Sequence, residues 1–368
     1  MKIGLLFLLA LMSSVAFADT TNWMSQIPND RIFNQLMIPG THDSGTYAIT
    51  KDSKFSLSPD DALPIWVEAI SNILPPSLVQ AITANWSKTQ PKSITDQLNA
   101  GIRYFDCRVD LFPTDNHFYL SHTLLGVPLA DALQQVQEFV AQHPSEIILL
   151  DMNHVFGVNN SDQQTQLIYL LQTYLGNVLI PNTLSPTATM GALRASHGNV
   201  IVLMDINQSI NSPALDAFAT ANIWHESAIN SPWPNVSTVA DLKSALDAEM
   251  LARSKTYLSD PQLFVLQMIQ TESTDDVIDG IINSKDPDTI KTYEAPVNAD
   301  LNSWLMQYIG LYGVHTLNIV IQDWFANPET LVAMASKYDS QELTHPQNTN
   351  RDALALKKLK AWFRVNAS

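Results

Sequence analysis

The chain has 368 residues, with 20 Lys or Arg against 36 Asp or Glu, for a formal net charge of -16. So acidic a balance argues against a nucleic-acid partner, because phosphate contacts need a basic surface. Cys107 is the single cysteine, so no bridge can form within the molecule and stability has to come from a large core.

Residues 1–18 carry one positive charge at Lys2, an apolar run from Ile3 to Met12 and a small-residue ending at Ala16-Phe17-Ala18. This reads as a secretory signal peptide, with an uncleaved anchor as the alternative, and it starts the mature chain at Asp19. Losing Lys2 takes the net charge from -16 to -17. The run is shorter than the roughly twenty residues that cross a bilayer, and charges or prolines interrupt every later apolar stretch. The mature protein is therefore expected to be soluble and extracytoplasmic, either secreted or periplasmic.

Eight short apolar or β-branched runs alternate with helical-period stretches, the pattern of a mostly parallel sheet covered by helices. The strands are predicted at Asn34–Ile38, Ile102–Val109, His117–Ser121, Ile147–Met152, Val200–Asp205, Asn222–His225, Leu263–Gln267 and Asn318–Gln322. Helices are predicted at Leu129–His143, Gln163–Tyr174, Val239–Leu251, Asp275–Asn283, Leu301–Tyr312 and Glu329–Tyr338. Eight strands in one chain predict an α/β fold of the TIM-type (β/α)8 barrel kind, regular or distorted, as a single domain over 19–340. Residues 341–368 remain as a C-terminal tail or helix. Lys51–Asn85 stands out as an insertion after the first strand, containing Ile65, Trp66, Ile70, Ile73 and Leu74. It reads either as a lid with an apolar face for a bilayer edge or as ordinary core.

Chemistry concentrates where strands end. Met37-Ile38-Pro39-Gly40-Thr41 runs into His42-Asp43-Ser44-Gly45, presenting a histidine and a carboxylate at a strand-to-loop junction, where barrels place catalytic groups. In Tyr104-Phe105-Asp106-Cys107-Arg108-Val109-Asp110, alternation points Tyr104, Asp106, Arg108 and Asp110 to one face and Phe105, Cys107 and Val109 to the other. Buried charges have to pair with each other or with a ligand. His122 ends the third predicted strand and Asp323 the last. In a closed barrel the last strand neighbours the first, so strands eight, one, two and three should gather Asp323, His42, Asp43, Asp106, Arg108 and His122 in one pocket.

At these residues the chain resembles the phosphatidylinositol-specific phospholipase C X-domain family. The resemblance runs from Ile38-Pro39-Gly40-Thr41-His42-Asp43-Ser44-Gly45 through Ile94-Thr95-Asp96-Gln97-Leu98-Asn99-Ala100-Gly101-Ile102-Arg103-Tyr104-Phe105-Asp106 to His122, His143-Pro144-Ser145-Glu146 and Asp323. Trp86-Ser87-Lys88-Thr89-Gln90 and Leu150-Asp151-Met152-Asn153-His154 look most like the X-domain-containing phospholipase C-like proteins.

The resemblance implies attack by a headgroup hydroxyl on a lipid phosphate, releasing diacylglycerol. His42 would be the base, Asp323 its support and His122 the acid; Asp43 would assist His122, Asp106 would position Arg108, and Arg108 would stabilise charge on phosphorus. Two imidazoles titrating near about 6.5 predict a bell-shaped pH profile. The calcium-dependent eukaryotic branch holds a carboxylate where this chain has Arg108, which implies no metal and no cofactor. An oxygen-ligand site from Asp43, Asp106, Asp110 and Asn153 is the alternative. Bacterial relatives read inositol with a lysine and an arginine after strands four and five, whereas this chain has Asn153, His154 and Asp205 there, the expected substrate-binding positions. The expected partner is a phospholipid at a membrane surface, met by a monomer. Two rival readings are a glycerophosphodiester phosphodiesterase-like hydrolase and a catalytically silent lipid-binding barrel.

Overall fold

In the computed structural model ten strands of the described residues form one sheet: β1 (Ile38–Thr41), β2 (Tyr104–Phe112), β3 (His117–His122), β4 (Leu124–Pro128), β5 (Ile148–Phe156), β6 (Val200–Leu203), β7 (Ile223–Trp224), β8 (Ile229–Asn230), β9 (Leu263–Gln267) and β10 (Ile319–Gln322). The structure describes residues 19–58, 63–283, 286–325 and 329–341, so the expected signal peptide and nearly all of the expected tail lie outside it. Eight strands run in the order β7-β6-β5-β2-β1-β10-β9-β8, every pair parallel. Among the described residues no ladder joins β7 to β8, so this TIM-type barrel is distorted and open on that side.

The sequence expectation needs three corrections. The predicted third strand is not in the ring: β3 pairs antiparallel with β2 and with β4, as a hairpin hung outside the barrel. Its period-two pattern is genuine, but an antiparallel hairpin has the same period. The neighbour of β2 in the ring is instead β5, and the eighth ring strand is the two-residue β8, too short to leave a pattern. The first strand begins at Ile38, because Phe33–Gln35 forms a 3-10 turn, so His42 directly follows the strand.

Among the described residues twelve helices flank the sheet: α1 (Ile65–Ser71), α2 (Pro76–Ser87), α3 (Ile94–Asn99), α4 (Leu129–Gln142), α5 (Ser161–Leu175), α6 (Met190–Ala195), α7 (Pro213–Asn222), α8 (Val239–Arg253), α9 (Thr274–Ile282), α10 (Ile290–Tyr293), α11 (Ala295–Tyr312) and α12 (Glu329–Asp339). The six predicted helices are all present, and side chains explain their starts. Asn160 caps α5, Thr238 caps α8, and Ser273 with Asp276 forms a capping box on α9. The stripe Leu129, Ala132, Leu133, Val136 and Val140 of α4 is buried as its spacing requires.

Lys51–Asn85 divides between its two expected readings. Trp66, Val67 and Ile70 of α1 pack with Val79, Ile82, Trp86, Val277, Ile290 and Tyr293 in a second small core. Ile65 and Ile73 point away, 79% and 75% exposed. Trp66 is therefore core, and only the outer face of α1 is left for an interface.

At the amino end of the barrel, Arg103 leads into β2 and is fully buried. Its Nε donates to Glu146 at 2.7 Å, Nη1 to the carbonyls of Leu98 and Ile102, and Nη2 to those of Thr20 and Thr21. All five N–H groups are thus used inside the protein, fastening the N-terminal segment, α3 and β5 together.

Candidate active site

Strand register brings the key side chains level. Thr41 of β1 pairs with Gln322 of β10 and with Phe105 of β2, so His42, Asp323 and Asp106, each one residue further on, meet at the carboxyl end. Gly40 makes this possible, since a Cβ there would lie 2.8 Å from both Ile321 Cγ2 and Tyr104 Cδ1. Between β2 and β5 the register shifts from Asp106↔Asp151 to Arg108↔His154. This bulge lets Asn153 turn to Asp106, where its Nδ2 donates to Oδ1 at 2.8 Å.

Asp43 is the hub of the site. Its Oδ1 lies 2.8 Å from Arg108 Nε, a charge contact without the alignment of a hydrogen bond, and its Oδ2 lies 3.3 Å from His42 Nε2 and 3.6 Å from His122 Nδ1. The two imidazole centroids are 6.2 Å apart. His42 Nδ1 is 2.8 Å from Asp323 Oδ1, and Arg108 Nη2 is 3.0 Å from His42 Nε2. That geometry makes His42 a donor to Asp323 and leaves its Nε2 lone pair directed at the guanidinium. All six catalytic candidates, His42, Asp43, Asp106, Arg108, His122 and Asp323, therefore come together. The division of labour differs in one respect: Asp43 is the carboxylate at 2.8 Å from Arg108, while Asp106 accepts from the Asp43 amide and from Asn153.

His42, Asp43 and Asp106 could by themselves hold a metal ion. Arg108, however, already puts a fixed cation on two of those three ligands, through His42 Nε2 and Asp43 Oδ1. The alternative oxygen site gains nothing further from Asn153, whose amide faces Asp106 as a donor.

Three carboxylates around His42 against one guanidinium leave an excess of negative charge for the imidazoles to balance. Burial, the largest influence on His42, lowers its proton affinity, but Asp43, Asp323 and Asp106 outweigh it and push its pKa up to about 10. Arg108 Nη2, 3.0 Å from Nε2, opposes that rise and favours the ring with Nε2 unprotonated. Burial would raise the pKa of Asp43, yet Arg108, His42, His122 and His154 together hold it below the usual carboxylate value, so it stays ionised. Below them, Asp151 accepts from Tyr104 Oη; burial, above all, pushes its pKa up to about 7.

The backbone at these positions is strained in a common way. His42, His122 and Asp323 are each followed by a non-glycine residue at positive φ: Asp43 at 42°, Thr123 at 60° and Trp324 at 50°. Such conformations cost on the order of 1–3 kcal/mol each and persist only where the surroundings fix them. At Asp43 and Trp324, Thr89 and Gln90 do the fixing. Thr89 Oγ1 donates to the carbonyls of His42 and Asp43, the Thr89 carbonyl accepts from the Trp324 amide at 2.6 Å, and Gln90 Nε2 donates to the carbonyls of His42 and Gln322. The Ser87 carbonyl lies 3.1 Å from His122 Nδ1, which puts the proton on that nitrogen.

The expected substrate-binding positions form a second, more open arm. His154 Nδ1 lies 2.8 Å from Asn153 Oδ1, and Asp205 lies 3.3 Å from His225 while accepting the Glu226 amide. Sequence reasoning missed His225 and Glu226 here, and Glu272 and Glu294 beside Asp323. His225 at a strand end was a readable signal; Glu294, at the start of α11, gave none.

The family model described as "Phosphatidylinositol-specific phospholipase C, X domain" matches residues 79–204. "PI-PLC X domain-containing protein 2" of Homo sapiens is 32% identical over 247 residues, covering 66% of this chain and 75% of that protein. "Variant-surface-glycoprotein phospholipase C" of Trypanosoma cruzi is 29% identical over 295 residues, covering 77% of this chain and 76% of that one. Among solved structures, the phosphatidylinositol-specific phospholipase C from Listeria monocytogenes superposes with a TM-score of 0.58 at 18% identity, over 88% of this chain and 100% of that one, a likeness of fold.

Proposed function

The chain belongs to the phosphatidylinositol-specific phospholipase C X-domain family of phosphodiesterases, and on that basis we propose that it cleaves phosphatidylinositol or a related phospholipid by two-histidine acid–base catalysis. One observation carries this reading: a single buried carboxylate, Asp43, contacts His42, His122 and Arg108 at once. A base, an acid and a fixed positive charge thus surround one space, the minimum that transfer of a phosphoryl group to a neighbouring hydroxyl requires.

In the proposed reaction His42 Nε2 takes the proton of the attacking headgroup hydroxyl, and Asp323 holds the ring and stabilises the imidazolium. Arg108 balances charge developing on the phosphoryl oxygens. His122 protonates the leaving oxygen, so that diacylglycerol departs and a cyclic phosphorylated headgroup remains. Asn153, His154 and Asp205 would contact the headgroup. The open arm of Asn153, His154 and Asp205 is polar, and the same chemistry serves inositol or another headgroup with a hydroxyl near the phosphate. Residues 1–18 support export, and among the described residues no helix is long and apolar enough to cross a membrane. Ile65 at the start of α1 and Ile73 just beyond its end supply an apolar contact by which an acidic protein meets lipid without relying on charge.

The test is turnover on a phospholipid panel in chelator, comparing vesicles with a soluble short-chain substrate. We expect diacylglycerol release, reduced on the order of a hundred to ten-thousandfold in His42→Ala and in His122→Ala with unchanged melting. Ile65→Ser/Ile73→Ser should lose activity on vesicles only. If the folded protein turns over no phospholipid, or turns over only glycerophosphodiesters, the reading is wrong.

A further inference from the structure

β1 and β10 run in register from Ile38↔Ile319 to Thr41↔Gln322, and there the ladder gives out. Its last bond, from the His42 amide to the Gln322 carbonyl, is 3.4 Å long, beyond the usual range for N–H···O. Asp43 and Trp324 then take positive φ, at 42° and 50°. Yet His42 and Asp323, which stand past the last register-matched pair, meet at 2.8 Å between Nδ1 and Oδ1. The strand ladder does not reach far enough to hold them there.

The carboxamide of Gln90 bridges this gap, and its side chain is fully buried. Nε2 donates to the carbonyls of His42 and Gln322, both at 2.9 Å, and Oε1 accepts from the Phe325 amide at 3.2 Å. One planar group thus ties His42 to the chain on either side of Asp323. Gln90 is itself fixed, because its backbone amide and that of Thr89 donate to Thr46 Oγ1 at 3.0 and 3.1 Å. Thr89 also touches both chains, but on the β10 side it does so through its backbone carbonyl, which accepts from the Trp324 amide. Asn298 of α11 gives the same turn a second hold, donating Nδ2 to the Asp323 carbonyl at 3.0 Å.

We propose that Gln90 is a positioning residue for the base: its carboxamide joins the ends of β1 and β10 and so keeps His42 Nδ1 and Asp323 Oδ1 within hydrogen-bond distance. This rests on the roles of His42 and Asp323 given above. The chemistry of the position is specific to glutamine. Two donors are needed for two carbonyls and one acceptor for an amide, which a carboxamide supplies at once. Asparagine is one methylene short of the same reach, glutamate turns a donor into an oxygen facing two carbonyls, and methionine fills the volume while leaving those carbonyls unpaired in the interior.

The experiment compares Gln90→Met, Gln90→Glu, Gln90→Asn, Asp323→Asn and the Gln90→Met/Asp323→Asn double variant with the parent. Three readouts are used: kcat and KM on a soluble short-chain phosphodiester, the nitrogen NMR shift of His42 Nδ1, assigned by its loss in His42→Ala, and thermal melting. In Gln90→Met we expect kcat to fall on the order of a hundredfold with KM little changed, since a small misplacement of a catalytic group costs about that much. The Nδ1 shift should move in the direction in which Asp323→Asn moves it. Gln90→Glu and Gln90→Asn should not restore either, and the double variant should be no slower than Asp323→Asn alone. A merely structural Gln90 would lower melting and leave the Nδ1 shift of the folded protein in place. That result, losses that multiply in the double variant, or failure of all three Gln90 variants to fold would overturn the proposal. If the parent itself turns over no phosphodiester, the catalytic reading fails, while the Nδ1 shift still decides whether Gln90 holds His42 to Asp323.

Discussion

Arg103 and Arg108 stand five residues apart, one leading into β2 and the other at its middle, and they are used in opposite ways. Arg103 is fully buried and spends every N–H on Glu146 and four carbonyls. Arg108 has a side chain 28% exposed toward the barrel mouth, paired with Asp43 and in contact with His42. A saturated guanidinium holds the protein together, whereas one that is partly exposed beside the imidazoles can meet a phosphate. The amino end of the barrel is thus the stability end and the carboxyl end the reactive one.

Three measurements would break or sharpen that contrast. The largest effect is expected for Arg108→Ala, which should lower kcat/KM on the order of a hundred to a thousandfold with little change in melting, in chelator as in its absence. Restoration of Arg108→Asp activity by calcium, or loss of parent activity in chelator, would show that a metal takes the place assigned to the guanidinium. Arg103→Met should do the reverse: leaving buried Glu146 unpaired should cost about 3–5 kcal/mol in denaturant unfolding, with the specific activity of the folded fraction kept. An Arg103→Met protein that is stable but inactive would erase the distinction. The smallest effect is a shift in pH. Asp323 helps to raise the pKa of His42, so Asp323→Asn should make the His42 ring titrate lower and move one limb of kcat/KM to lower pH by about one unit, whatever happens to the plateau. An upward shift would mean that Asp323 does not act on His42 as a charge.

The parallel sheet, the single barrel and the gathering of six side chains were legible from the sequence because parallel strands and amphipathic helices leave strong periodic patterns. His42, Asp106 and Asp323 each sit one residue past a register-matched position, which strand ends in the sequence already suggested. The error at β3 has a definite cause. A hairpin strand and a ring strand share the same alternation, and only pairing partners separate them.

What the sequence determined by itself is therefore which residues carry chemistry, since charge on a strand face can be tolerated only at a site or in a pair. Tertiary structure decided which carboxylate serves which cation. Asp43 rather than Asp106 contacts Arg108 because the residue after His42 turns into the left-handed region, held there by Thr89 and Gln90 from a distant loop. It also decided that Trp66 is core while Ile65, its neighbour, is exposed. Periodicity and propensity are local in the chain, whereas Coulomb energy and hydrogen bonding depend on distance in space, and only the closed packing of strands and loops fixes those distances.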